Sequence, residues 1–165
     1  MTSHGQPAAG RDVAIYRLWG RLPTRVQEVV IYLLSPKVTF GALAVVLDAE
    51  GRVLVVRHTY RRPPWGLPGG MIGRDEQPDA ALARELREEL GLDATVGPLL
   101  HADHDTRRRH LTLYYQVAVA GTPRYNVELD AHRYVDLDEL TRLWRQSPPL
   151  WLRALLQSRA ARPAG

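Results

Sequence analysis

Leu67 to Leu92 reads LPGGMIGRDEQPDAALARELREELGL, and these residues decide how the rest of the chain is read. Pro78 suits the first turn of a helix, where its missing N–H is no loss, and Gly91 suits the position just past a helix end. The spacing therefore predicts a helix from Pro78 to Leu90. Leu82, Leu86 and Leu90 fall at successive four-residue steps and make one apolar stripe facing a core. At about 100° per residue, Glu85, Glu88 and Glu89 share an arc that borders this stripe. Like charges at such spacings cost a few tenths of a kcal/mol per pair in water and more when desolvated. A helix selected for stability alone would avoid them, whereas a bound divalent cation reverses the sign of that cost. The expectation is that all three carboxylates converge where solvent is limited.

Magnesium takes hard oxygen ligands, typically one or two carboxylates with water and substrate phosphate. A cation so held neutralises a phosphate leaving group and orients or acidifies a water, and a spare glutamate can accept the proton. Gly69 and Gly70, just before the helix, either let backbone approach a phosphate or serve a sharp turn. Glu76 adds a carboxylate to the connecting loop. Arg84 and Glu88 are also spaced for an ordinary surface ion pair.

Outward from this segment, Val38 to Leu47 and Arg52 to His58 are β-rich runs separated by AspAlaGluGly, which predicts a hairpin. Leu111 to Ala120 is a further strand, and Tyr134 and Val135 make a short one. Asp138 to Trp144 and Leu150 to Ser158 are helical, divided by a ProPro break. Strands on both sides of a central helix imply an α/β domain with a mixed sheet covered by helices. Upstream, Val26, Val29, Val30, Leu33 and Leu34 form a second stripe over a helix from Thr24 to Leu34. Thr24 with Gln27 fits a capping box, and Pro36 blocks continuation. Such a stripe packs on its own domain, makes a homodimer contact or lies on a membrane surface.

The central segment resembles the Nudix box, G-x5-E-x7-R-E-U-x-E-E-x-G-U with U an aliphatic residue. Gly70, Glu76, Arg84, Glu85, Leu86, Glu88, Glu89, Gly91 and Leu92 meet every specified position. The preceding TrpGlyLeuProGly, Trp65 to Gly69, looks like the usual lead-in. The resemblance implies a Nudix-type α/β/α sandwich with a mixed sheet, here with an N-terminal helical extension. It further implies Mg²⁺, with Mn²⁺ as a substitute, and hydrolysis of a nucleoside diphosphate linked to another moiety X. By matching positions, Glu85 and Glu89 become principal metal ligands and Glu88 a further ligand or the water-activating base. Arg84 then orients a glutamate by a charge-assisted pair, while Glu76 and Gly91 are structural. Many members of the family add a carboxylate shortly before an aromatic residue on a late strand. Glu128, six residues before Tyr134, fits that place, with Asp130, Asp103 and Asp105 as rivals.

The chain has 165 residues, enough for one domain with a real core. The expected organisation is a disordered tail over 1–12, the helical extension over 13–36, the hydrolase domain over 37–160 and a flexible tail over 161–165. Cysteine is absent, which excludes disulfides, thiolate zinc sites and cysteine nucleophiles. The first residues lack the order of a secretory signal and no apolar run is long enough to span a membrane, so a cytoplasmic location is expected. A net charge of +4 suits a polyanionic partner.

Substrate choice lies outside the box. Trp65, Tyr60 and Arg61, just upstream, can stack on a base or grip phosphate. Arg107, Arg108 and Arg109 form a basic run between strands, with Arg107 taken as a substrate contact, and His101, His104 and His110 surround it. X is expected to complete a small soluble nucleotide such as a nucleotide sugar, ADP-ribose or a (d)NTP. The alternatives are an RNA 5′-end pyrophosphohydrolase, a nucleotide- or RNA-binding module without turnover, and a metal-dependent isomerase on the same scaffold.

Overall fold

A computed structural model describes residues 16–160. The tails expected over 1–12 and 161–165, and the first residues of the extension, lie outside the described residues. The chain divides into two compact units between Lys37 and Val38.

In the first unit, α1 spans Thr24–Leu34, as the apolar spacing predicts. Its start differs in detail. Pro23 is the N-cap and no side chain caps the helix, so Thr24 is already the first helical residue. Gln27 does not close a capping box; its amide donates to the carbonyls of Trp19 at 2.9 Å and Leu22 at 3.0 Å. The apolar stripe, expected to pack on its own domain, to make a homodimer contact or to lie on a membrane surface, contains no buried residue.

The second unit has the order β1 (Thr39–Val45), β2 (Val53–His58), β3 (Trp65–Gly66), β4 (Gly69–Met71), α2 (Pro78–Leu90), β5 (Asp93–Asp105), β6 (His110–Ala120), β7 (Leu129–Val135), α3 (Leu137–Trp144) and α4 (Leu150–Ala160). Two sheets result, a four-stranded one ordered β4-β1-β6-β5 and a three-stranded one ordered β3-β2-β7. The first is mixed, because β1 runs parallel to β6 and antiparallel to β4. The predicted hairpin between β1 and β2 exists only at its base. Asp48 accepts from the amides of Glu50 and Arg52, Leu54 N–H donates to Val46 O, and Leu47 bridges Val53. Beyond that bridge the strands part into different sheets, since each finds a longer partner elsewhere: β1 pairs β6 over Thr39 to Val45, and β2 pairs β7 over Val53 to His58.

Strand alternation explains the layers. Ala42, Ala44, Leu54 and Val56 point to one side and pack with Leu82, Leu86 and Leu90 of α2. Val45, Val53 and Val55 point to the other and pack with Leu140 of α3 and Leu152 and Leu156 of α4. The sheets are thus covered on both faces, which is the α/β/α sandwich, and α2 is anchored by three fully buried leucines.

Candidate active site

The helix α2 begins at Pro78, ends at Leu90 and is capped by Gly91 in the left-handed region at φ 64°. Its leucine stripe faces the core, so the neighbouring arc of glutamates lies along the rim of that core. Burial grades the three carboxylates instead of gathering them. Glu89 is 4% exposed, the side chain of Glu85 is 18% exposed, and that of Glu88 is 58% exposed. The expectation of three desolvated acids is corrected at Glu88, which has rotated off the leucine stripe toward solvent.

Glu89 bears the largest electrostatic cost. Its Oε2 has no hydrogen-bond partner. Desolvation pushes its carboxyl up to about 7, the charges of Glu85 and Glu128 add to the rise, and a backbone hydrogen bond from Gly69 and the charge of Arg61 oppose it. Asn126 N–H donates to Glu89 O at 3.2 Å, which brings the segment that carries Glu128 against the end of α2.

Arg84 is the hub of the segment. Its Nε and Nη2 donate to the two oxygens of Glu76 at 2.9 and 3.1 Å, a bidentate pair. Nη1 donates to Glu85 and Glu88, each at 3.0 Å, and Nη2 also reaches Met71 O. Glu76 accepts in addition from Gly73 N–H, and its carboxyl is held below the ordinary range chiefly by Arg84. One guanidinium therefore ties the loop to the helix and sets the direction of two glutamates.

The two glycines before the helix serve Glu85 and strand pairing. A Cβ on Gly70 would lie 2.5 Å from Glu85 Cδ, so only glycine lets this carboxylate approach the backbone. Gly69, at φ 127°, pairs with Leu43 of β1, and a Cβ there would collide with Ala42 O. Both glycines are thus next to the acidic edge, with their freedom spent on close packing.

Glu128 is exposed, and its Oε2 accepts from Tyr60 OH at 3.4 Å. Its rival Asp130 is neutralised by Arg57 in a bidentate pair at 2.6 and 2.8 Å. Asp105 accepts from the amides of Arg107 and Arg108 in the β5–β6 turn. Trp65 lies half-buried on β3 with the guanidiniums of Arg133 and Arg57 over its ring. Arg61 and Trp65 share a cleft of about 400 Å³ with Arg108, Tyr114, Trp144 and Gln146. The basic run thus enters the cleft through Arg108, while Arg107, the expected contact, does not line it. Adjacent turn residues point in different directions, and a run of three arginines carries no signal to choose between them.

Tyr114 and Trp144 were not legible as cleft residues, since one sits mid-strand and the other closes a helix. His101 stacks on Trp151 at 5.0 Å and contacts Tyr114, which uses it for packing. His110 shares a hydrogen bond with Thr39 Oγ1 at 2.8 Å. His58 is 2% exposed with neither ring nitrogen partnered.

The family model described as NUDIX domain matches residues 37–155. The chain belongs to the Nudix family. An ADP-ribose pyrophosphatase of Mycobacterium tuberculosis is 46% identical over 72 residues, which cover 41% of this chain and 34% of that protein. The chain thus spans about a third of that relative's length. A CTP pyrophosphohydrolase of Escherichia coli is 32% identical over 136 residues, covering 74% of this chain and 95% of the relative. Among solved structures, the E. coli ORF135 protein superposes with a TM-score of 0.58 at 27% identity, covering 78% of this chain and 96% of that one.

The Nudix box can be weighed for a cation on its own chemistry. Among the described residues no three His, Asp or Glu side chains already surround a common point. Arg84 Nη1 holds one oxygen of Glu85 and one of Glu88, each at 3.0 Å. A buried carboxylate oxygen without a partner, flanked by carboxylates of like sign, fits a missing positive charge. The donor set is all oxygen, which suits a hard divalent ion.

Proposed function

We propose that the chain hydrolyses the pyrophosphate link of a nucleoside diphosphate joined to a second group, X, with Mg²⁺ as the cofactor and Mn²⁺ able to replace it. The observation that carries this is Glu89, buried and unpartnered at Oε2 beside Glu85 within an intact Nudix box. Divalent metals serve the family generally. The named relatives are pyrophosphohydrolases of ADP-ribose and CTP, which supports a small nucleotide substrate.

Glu85 and Glu89 would hold the cation, with Glu88 and Glu128 contributing from the solvent side. Bound there, the ion would neutralise phosphate charge and acidify a water for attack at phosphorus. The protein's own groups do the rest. Arg84 fixes the direction of Glu85 and Glu88 through hydrogen bonds that its Nη1 donates. Glu88, the most exposed of the three, would accept a proton from the attacking water on Oε1, since Oε2 is held by Arg84. Glu76 and Gly91 brace the loop and the helix end. Arg61, whose charge acts on Glu89, lines the cleft and would contact the diphosphate. Residues 37–160 form the proposed hydrolase domain and 13–36 an extension to it. No helix among the described residues is long and apolar enough to cross a membrane.

The test is Glu89→Gln, which keeps volume and removes charge. Turnover of a nucleoside diphosphate derivative should fall by about two to four orders of magnitude with circular dichroism unchanged. Undiminished Mg²⁺-dependent hydrolysis by this variant would remove the acidic edge from the mechanism.

A further inference from the structure

The first unit carries apolar surface that its own helix does not hide. Tyr16, Leu18, Val29, Tyr32, Leu33 and Leu34 are each more than half exposed, and α1 buries none of its residues. Gln27 fastens the segment before α1 to the helix through the carbonyls of Trp19 and Leu22, so these outward groups belong to one folded piece. At about 100° per residue, Val26, Val29, Val30, Leu33 and Leu34 fill an arc of roughly 140°. Arg25 borders that arc, where its long stem can lie along apolar surface while the guanidinium stays in water. Exposed apolar surface gathered in this way marks an interaction site.

Charge selects the occupant. Between Tyr16 and Lys37 the sequence has Arg17, Arg21, Arg25 and Lys37 against a single acid, Glu28. Ser35 to Val38 then lead directly into β1, whose first residue, Thr39, donates its N–H to Arg109 O at 2.9 Å. The extension therefore enters the domain next to the β5–β6 turn, where Arg107 and Arg109 flank the Arg108–Asp105 pair. A second copy of α1 would bring the same excess of positive charge against itself. The sheets of the second unit are already covered on both faces by that unit's own side chains. An anionic bilayer surface answers both features at once. It takes apolar side chains and the rings of Tyr16, Trp19 and Tyr32 at headgroup level, and its phosphates face the arginines. With 11 residues α1 is far too short to cross the bilayer, so the helix would lie in the plane of the surface.

We propose that α1 and the segment before it dock this protein on a membrane surface that carries anionic phospholipid. The apolar arc enters the boundary between headgroups and acyl chains. The basic residues of the extension and of the β5–β6 turn supply the attraction to lipid phosphate. A short apolar face by itself holds a chain weakly and reversibly, and the basic residues beside it make the docking selective for anionic lipid.

Sedimentation of the full chain with lipid vesicles tests this without any need for turnover. Vesicles of phosphatidylcholine and phosphatidylglycerol in equal parts should bind it about tenfold or more tightly than phosphatidylcholine alone, and added salt should shrink the difference. Val29→Glu with Leu33→Glu should weaken binding to the anionic vesicles about tenfold or more. Arg17→Gln, Arg21→Gln and Arg25→Gln together should reduce the preference for anionic over neutral vesicles about threefold or more. Every side chain changed is exposed, so the fold should survive, which circular dichroism checks, and Leu34→Gln alone should show a smaller loss than the double variant. Binding to neither vesicle, equal binding to both, or undiminished binding by the Val29→Glu, Leu33→Glu variant would overturn the proposal. So would a lipid-free molecular mass of two chains that falls to one in that variant, because a second copy would then cover the arc.

Discussion

Among the described residues two polar side chains are buried in the domain, and they sit in opposite surroundings. Glu89 on α2 and His58 at the end of β2 are 4% and 2% exposed, and each has an unpartnered ring or carboxylate atom. Burial drives both toward the neutral form: the carboxyl is raised to about 7 and the imidazole lowered to about 4, with Arg61 adding to the fall at His58. The neighbours differ. Glu89 is flanked by further carboxylates, Glu85 and Glu128, so neutralising it leaves a negative site unbalanced. His58 lies against Gly66 and edge-on to Tyr60, with one arginine charge nearby, so loss of its proton leaves nothing to balance. Equal burial therefore means different things. Among like charges a buried acid marks the place of a counter-ion, while a buried imidazole that has simply discharged is part of the packing.

The largest expected effect tests that contrast directly. Glu89→Gln should remove nearly all turnover, whereas His58→Leu should leave it within about tenfold of the wild type. Comparable losses in both, measured at one saturating Mg²⁺ concentration, would show that the two sites act together. A second effect concerns what holds Glu89 in place. Leu86 is fully buried one turn from Leu82 and Leu90, so Leu86→Ala should cost about 2 to 5 kcal/mol in urea unfolding. A change below about 0.5 kcal/mol would mean that the helix under Glu89 is not anchored by its stripe.

Much of the acidic edge was legible in the sequence because it is local. Pro78, Gly91 and the leucine spacing predict both ends of α2, and the same helix geometry places the glutamates on one arc. Less of the rest was legible, because it depends on distant partners. The strand Asp93–Asp105 went unread, since Gly97 and Pro98 interrupt it and its register shifts twice against β6. The parting of β1 from β2 follows from pairing with strands more than fifty residues away. The burial of His58 depends on that pairing too. Periodicity also predicted two amphipathic helices equally well, yet α2 buries its stripe and α1 buries none of its residues. A moment along a helix specifies a face and leaves open what meets it.

A third prediction uses the opposite signs of the two groups in metal-free protein. Glu89 is raised from an ordinary value of 4.5, so its folded form binds the extra proton and stability falls as pH rises from about 4.5 to about 7. His58 is lowered from 6.5, so stability falls as pH drops from about 6.5 to about 4. Between these limits the slopes oppose each other and the wild-type melting temperature should vary little on their account. Glu89→Gln should expose a melting temperature that climbs with pH over this window, and His58→Leu one that declines. Identical profiles for both variants in EDTA would refute the assignment. Mg²⁺ should raise the wild-type melting temperature more at pH 8 than at pH 5, because it selects the ionised carboxylate.

The smallest effect is the stability of His58→Leu at pH 7.5, where the imidazole is already neutral. Two unpartnered ring nitrogens lie in the core at a position flanked by Val56 and close to Gly66. Leucine removes both desolvated nitrogens and fills a similar volume, and the two changes act in the same direction. Against them stands the lost edge contact with Tyr60, whose ring centroid lies 5.9 Å away. Contacts of this kind are worth about 0.5 to 1.5 kcal/mol, so the net change should lie within about 1 kcal/mol of zero in urea unfolding. A loss beyond about 3 kcal/mol would mean that the ring nitrogens have partners in solution. His58 would then be a second functional polar group beside Tyr60 and Glu128, and no longer the packed counterpart against which Glu89 is read.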